Sequence, residues 1–335
     1  MAKGMYIGVD NVARKIKKAY VGVDGVARKV KKAYMGVDGV ARCIFGGDEF
    51  SYYGTATSFV AARKLLAATT IGNYALFAGG MISSTSYNYS GIVDAYNSSL
   101  TRSTPTELSV ARSSLAATTI GNYALFGGGY GGSSRSAVVD AYNSSLTRST
   151  PTELSVARSN LAATTIGNYA LFAGGMISST SYSDTVNAYS TSLTRSTPTE
   201  LSVARSNLAA TTIGNYALFG GGYDYDDDAP DNRVDAYNTS LVRVSVANLT
   251  SAKQQLAATT VGDYALFGGG YGKYIASPYS TVNAYSTSLT RSTPTELSVA
   301  RSSLAATTIG NYALFGGGAA QNGAYNNTVD VYQVS

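Results

Sequence analysis

The chain has 335 residues, 44% of them hydrophobic and only 13% charged, with no histidine and no tryptophan. Ser-His-Asp and Cys-His catalysis and imidazole metal ligation are therefore excluded, and the single cysteine, Cys43, rules out an intrachain disulfide or a thiolate cluster. The net charge of +5 is uneven: residues 1–45 hold ten Lys/Arg and three Asp, giving +7, and the rest carries −2. The basic character thus belongs to the front of the chain, and a nucleic-acid-binding surface along its whole length is not expected.

No apolar run approaches the roughly 20 residues of a membrane span. The opening Met1-Ala2-Lys3-Gly4-Met5-Tyr6 lacks the apolar core of a signal peptide. The expectation is synthesis in a reducing cytoplasm, with no membrane insertion and no cofactor.

The front of the chain repeats with a period of 14: MYIGVDNVARKIKK from Met5, AYVGVDGVARKVKK from Ala19 and AYMGVDGVARCIFG from Ala33. Asp24-Gly25 and Asp38-Gly39 between Val- and Tyr-rich runs predict type I′ hairpins. A turn at Asp24-Gly25 pairs Val23 with Val26 and Val21 with Arg28. Val21, Val23, Val26 and Val30 then share one face, and Tyr20, Lys29 and Lys31 take the other. A helix over 26–34 is disfavoured by the preceding glycine and the β-branched content. Lone hairpins are marginal in water, so this module, residues 1–46, is expected to lean on partner chains. Its Lys15, Lys17, Lys18, Lys29, Lys31 and Lys32 read as a solvated face that discourages wrong strand pairing.

After a short linker, 47–51, a second repeat fills residues 52–335. The segment IGNYALF recurs with its glycine at Gly72, Gly121, Gly167, Gly214, Gly262 (as VGDYALF) and Gly310, which makes six units spaced 46 to 49 residues apart. Each unit predicts four strands: a, LAATTI (Leu115–Ile120); b, YALFGGG (Tyr123–Gly129); c, VVDAYNSSL (Val138–Leu146); and d, TRSTPTEL (Thr147–Leu154). Pro105, Pro151, Pro198 and Pro294 fall in d, which suits an outermost strand. Four strands with a proline-bearing edge describe a propeller blade.

These units resemble the kelch β-propeller repeat. Strand b closes on a glycine pair (Gly79-Gly80, Gly128-Gly129, Gly174-Gly175, Gly221-Gly222, Gly269-Gly270, Gly317-Gly318), and strand c carries Tyr96, Tyr142, Tyr189, Tyr237, Tyr285 or Tyr332. An arginine precedes strand a at 63, 112, 158, 205 and 301, with Lys253 in the fifth unit. Where kelch repeats usually carry tryptophan, this chain has Leu100, Leu146, Leu193, Leu241 and Leu289. The fold class implied is all-β: a six-bladed kelch-like β-propeller behind a small β-hairpin repeat module.

The sixth unit ends after strand c, and YYGTATSFVAAR (52–63) aligns without a gap on TRSTPTELSVAR (101–112). Residues 52–59 are therefore expected to supply the outer strand of the last blade, removing open edges. Strand direction then places the b–c loops on a top face and the basic module at the bottom.

Those b–c loops differ most between units and hold ten of the 27 tyrosines. The candidate ligand-binding residues are Tyr87, Tyr89, Tyr130, Arg135, Tyr182, Tyr223, Tyr225, Tyr271, Lys273, Tyr274, Tyr279 and Tyr325. Tyrosine among Ser, Gly and Asn is the chemistry of adaptable binding loops, and flat aromatic faces stack on sugar rings. Unconstrained drift of the loops is the alternative. Asp224, Asp226, Asp227, Asp228 and Asp231 form one acidic cluster. Asp224, Asp226 and Asp228 are weak candidates for Ca²⁺, but their spacing matches no calcium loop and a solvated loop is preferred. The arginines before strand a either face an anionic ligand over the channel or, as favoured, bond to carbonyls and Glu107-type side chains between blades. GGGYGG (127–132) has neither the following helix nor the Lys-Ser/Thr of a phosphate loop.

The 14-residue repeat ahead of a variable domain resembles modules of phage and prophage tail-fibre proteins. That resemblance implies a non-enzymatic receptor-binding protein of a virion tail. It would attach to tail or baseplate proteins through 1–46 and bind a bacterial cell-surface glycan or protein receptor through the top loops. A homotrimer would suit a fibre. Competing readings are a kelch adaptor for an intracellular protein partner, a structural spacer, and an enzyme. Copper chemistry of the galactose-oxidase kind needs histidine, and hydrolysis by carboxylates alone needs two facing acids.

Overall fold

The computed structural model describes residues 55–334 apart from 84–86, 274–277 and 322–323, together with the backbone of six strands before residue 46. The chain divides into two compact units, Met1–Thr55 and Ala56–Ser335. The expected linker, 47–51, and the expected propeller start at Tyr52 lie outside the described residues.

The first unit contains three antiparallel hairpins, Tyr6–Val9 with Val12–Lys15, Ala19–Val23 with Val26–Val30, and Ala33–Val37 with Val40–Phe45. In the middle one Val23 faces Val26 and Val21 faces Arg28, the register that a two-residue Asp-Gly turn imposes. Lys31 and the turn residues themselves lie outside the described residues.

The second unit is a β-propeller of six antiparallel sheets, five with four strands and the last, blade 6, with three described strands. In blade 2, strand a is Ala116–Ile120, b is Tyr123–Gly127, c is Val139–Asn143 and d is Arg148–Ser149, paired in that order. Strand a alternates buried Ala116, Thr118 and Ile120 with half-buried Ala117 and Thr119, as one face lines the channel and the other packs on the sheet. Strands b and c are buried on both faces through Ala124–Gly127 and Val139–Tyr142.

Strand d is shorter than expected. Only Arg148 and Ser149 pair, opposite Tyr142 and Ala141. Pro151 comes after the ladder, where a missing N–H removes no strand bond. The following residues leave blade 2 and join the next: Tyr189 Oη donates to Thr152 O at 2.7 Å, and Arg158 Nη2 donates to Phe172 O at 3.1 Å.

Neighbouring blades share their cores. One apolar cluster combines Ala67, Ile71, Leu76 and Val93 of blade 1 with Ala124, Phe126 and Tyr142 of blade 2, and four more repeat this arrangement along the unit. Leu146, at the position of the usual kelch tryptophan, packs on the first of these. Around the channel the inner strands are joined by a belt of threonines. Thr118 and Thr165 hydroxyls lie 2.8 Å apart, and Thr165 Oγ1 donates to Thr119 O at 2.6 Å. The same two bonds recur at the other four junctions.

Between blade 6 and blade 1 the belt stops: among the described residues no hydrogen bond joins Thr307 or Thr308 to Thr69 or Thr70. Ile309 is 58% exposed, whereas its counterpart Ile120 is 2% exposed. Blade 6 has three described strands, Ala305–Ile309, Tyr312–Gly316 and Val329–Gln333. The two residues that would pair with its outer strand by the repeat register, Tyr53 and Gly54, lie outside the described residues. Residues 57–60 form no strand and sit on blade 1. Tyr96 Oη donates to Thr57 O at 2.5 Å and Val60 N donates to Asp94 Oδ1 at 3.2 Å, as residues 106–109 do on blade 2.

Candidate functional site

Every strand b runs into two glycines with positive φ, +68° and +114° at Gly128 and Gly129. They turn the chain away from the sheet beneath the next blade and start the b–c loop. The loops are small hairpins: Met81–Ser83 with Asn88–Tyr89, Tyr130–Gly131 with Ser134–Arg135, Met176–Ser178 with Ser181–Tyr182, and Tyr223–Asp224 with Ala229–Pro230. Each is anchored at its base to the segment before strand a, as by the Ser113–Tyr130 and Ser159–Met176 bridges. Among the described residues, loops 5 and 6 are closed by single bridges, Tyr271–Pro278 and Ala319–Tyr325.

Seven of the twelve candidate residues are brought into contact with another candidate or with the acidic loop. The rings of Tyr89 and Tyr130 meet edge to face at 5.6 Å, with the Arg135 guanidinium 5.7 Å from the Tyr130 ring. Tyr182 meets Tyr223 at 6.1 Å and Tyr225 at 5.6 Å. Tyr223 Oη donates to Asp228, whose other oxygen lies 2.8 Å from Lys273 Nζ. That bond to a carboxylate pushes the Tyr223 phenol up to about 12, so it remains a neutral donor at neutral pH. Tyr87 and Tyr325 stand out into solvent, 69% and 96% exposed. Tyr271 is half-buried in its bridge, Tyr279 lies over Gly272, and Tyr274 is outside the described residues.

The acidic candidates diverge. Asp224 is buried and accepts from Asp226 N at 3.0 Å, closing its own turn, while Asp228 turns to Tyr223 and Lys273. Asp231 pairs with Arg233 at 2.7 Å. Among the described residues no three acids gather as a metal would need. Burial raises the Asp224 carboxyl, whereas the bonds from Lys273 and Tyr223 lower that of Asp228.

Arg112, Arg158, Arg205 and Arg301 are fully buried and offer no cation to a ligand. Their partners are not Glu107-type side chains but the acid of strand c. Arg112 Nη2 lies 2.8 Å from Asp140 and donates to Phe126 O at 3.0 Å; Arg63–Asp94, Arg205–Asp235 and Arg301–Asp330 repeat the pair at 2.6–2.7 Å. In blade 3 the acid is replaced by Asn187, 2.9 Å from Arg158. In blade 5 both change: Lys253 bonds to Thr281 O and Oγ1 at 3.0 and 3.3 Å, and Asn283 stands where the acid would be.

Burial brings Lys253 from 10.5 down to about 7, with the charge of Glu296 acting only partly against it. The unfolded chain keeps the ordinary lysine affinity for protons, so the fold is penalised wherever Lys253 must be charged. The penalty is full below pH 7, falls as the pH rises from 7 towards 10.5, and is gone above that. Lys253→Met therefore stabilises the propeller by about 2 kcal/mol at pH 6 after loss of the Thr281 bonds. In melting curves recorded across the range that gain shrinks as the pH rises above 7 and reverses before pH 10.5, where only the loss of the Thr281 bonds remains.

Two concavities of about 340 Å³ each lie elsewhere, one at the outer side of blade 4 around Arg233, Asp235 and Arg243, the other around Val261, Tyr264 and Tyr332. Neither is lined by a loop tyrosine.

With this geometry in hand, the second unit has the fold of a kelch-like β-propeller. The chain is similar to the solved structure of YjhT, with a TM-score of 0.64 and 11% identity over 82% of this chain and 96% of that one. No protein-family model matches the chain, and no curated protein does. At this identity the likeness speaks for the fold alone.

Proposed function

We propose that the propeller is a non-enzymatic receptor-binding domain that recognises a bacterial surface glycan through its top loops. In this reading the chain is a phage or prophage tail-fibre-type component, held to tail or baseplate proteins through residues 1–46. The observation that carries it is the gathering of Tyr89, Tyr130, Tyr182, Tyr223 and Tyr225 into ring contacts that cross from one loop to the next. Tyrosine offers a large amphipathic surface for little lost side-chain freedom. A sugar ring has a C–H face for the arene and hydroxyls for the phenols and the surrounding serines. The absence of histidine from the sequence and the burial of the arginine–aspartate pairs support binding over catalysis.

The test is saturable binding of the full chain to bacterial cells and to purified cell-surface polysaccharides, beside a variant with the loop tyrosines changed to serine. Binding by the parent and a loss of at least about tenfold in the variant is the expected result, each tenfold step being 1.4 kcal/mol. Equal binding by both would place recognition on another face. No binding by a folded parent would favour a protein-binding adaptor or a structural spacer.

A further inference from the structure

The tyrosine contacts have a period of their own. Blades 1 and 3 carry loops that begin Met-Ile-Ser-Ser-Thr-Ser-Tyr, while in blades 2, 4 and 5 a tyrosine follows the glycine pair directly. Tyr89 and Tyr182 occupy the same hairpin place, opposite Met81 and Met176. Tyr130 and Tyr223 likewise share a place, bridged to Ser113 and paired with Ser206 respectively. The edge-to-face contact therefore forms at the junction of loops 1 and 2 and forms again at that of loops 3 and 4. At the junction between them, loop 2 ends on Arg135 and loop 3 begins on Met176, and among the described residues no ring contact is made there. Across blades 1–4 a unit of two blades is thus superposed on the unit of one.

We propose that Tyr89–Tyr130 and Tyr182–Tyr223–Tyr225 are two equivalent subsites, two blades apart on the same face, that engage successive residues of a single repeating polysaccharide chain. The proposal rests on the glycan reading above. Each subsite offers a pair of inclined aromatic edges and faces, with a cation beside it: Arg135 over Tyr130 in one, Lys273 bound through Asp228 to Tyr223 in the other. One such open platform holds a sugar weakly, because little of the ligand is enclosed. Two platforms on a rigid scaffold turn the second contact into an intramolecular one, which raises affinity by about 10²–10⁴ without any new kind of contact. A polymer with a regular repeat satisfies both; a short oligosaccharide satisfies one at a time.

The experiment uses the full chain, a cell-wall polysaccharide that it captures, and size-fractionated oligosaccharides from partial acid hydrolysis of that polymer. Titration calorimetry should count two oligosaccharides per chain, falling to one in Tyr130→Ser and to one in Tyr223→Ser. Each variant should bind the intact polymer about 100-fold more weakly, and the double variant should not bind it. Tyr89→Ser, at the other half of the first subsite, should reproduce Tyr130→Ser, which guards against one variant that merely fails to fold. A single oligosaccharide per chain, or a polymer held no more tightly than its fragments, overturns the two-subsite proposal while the glycan reading stands. Failure of the unaltered chain to bind any polysaccharide overturns both.

Discussion

Replacing Asp140 with alanine is expected to destabilise the propeller by about 3–5 kcal/mol, read as a lower urea midpoint, because it strands a buried cation. Asp140 and Arg112 are both fully buried, 2.8 Å apart. Burial already lowers the Arg112 guanidinium from its ordinary value, and Asp140 acts against that shift. Asp140 also accepts from Ser109 N at 3.0 Å, on the segment arriving from blade 1, and lies 3.7 Å from Arg148. One carboxylate thus ties together the incoming segment, the arginine and the outer strand. Asp140→Asn should cost much less, since blade 3 works with Asn187 in that place. The reverse change, Asn187→Asp, should stabilise the protein by giving Arg158 a charged partner. An Asp140→Ala variant as stable as Asp140→Asn would show that Arg112 is solvated and that the buried pair does not carry the blade.

The second large effect is at the glycine pair. Gly128 has φ +68°, and an added Cβ would sit 2.6 Å from Arg158 O and 2.9 Å from Leu161 Cδ2. That carbonyl is fixed by accepting from Gly129 N at 2.8 Å, so it cannot yield without opening the junction between blades 2 and 3. Left-handed backbone costs alanine roughly 1–2 kcal/mol by itself, and the clash should bring Gly128→Ala to about 3–4 kcal/mol in denaturant titrations. Gly317 holds the same place in blade 6 with the same φ, yet its nearest neighbour is Asn326 O at 3.9 Å. Gly317→Ala should therefore cost only the backbone part. Equal costs at the two positions would mean that blades 6 and 1 close on each other in solution.

Much of this architecture is legible in the residues themselves. The hairpin register follows from Asp-Gly between valine runs, and the blade strands from a recurring segment whose apolar positions alternate. The outer strand was overestimated because Thr-Arg-Ser-Thr reads as extended well beyond the two residues that pair; only the arrival of the next blade takes the chain away. The aspartate of Val-Asp-Ala-Tyr was missed as the partner of the arginine, although a charge in a strand buried on both faces is a signal of a hidden counter-ion. Its replacement by Asn187 and Asn283 in two units blurred that signal. The doubled threonines likewise announce a polar seam only once neighbouring strands are side by side. In the loops the residue types were readable, but which rings meet depends on the angle between adjacent blades, and no single loop encodes that.

The threonine belt and the arginine–aspartate pair have a consequence for how such a protein can change over generations. The five junctions from blade 1 to blade 6 share the threonine belt, so exchange of a whole unit between copies joins surfaces that already largely match. What such an exchange delivers is a different hairpin on the exposed face, with the scaffold beneath it unaltered. A lineage built this way can revise its displayed surface one segment at a time by shuffling existing parts, and need not discover each new surface by point substitution.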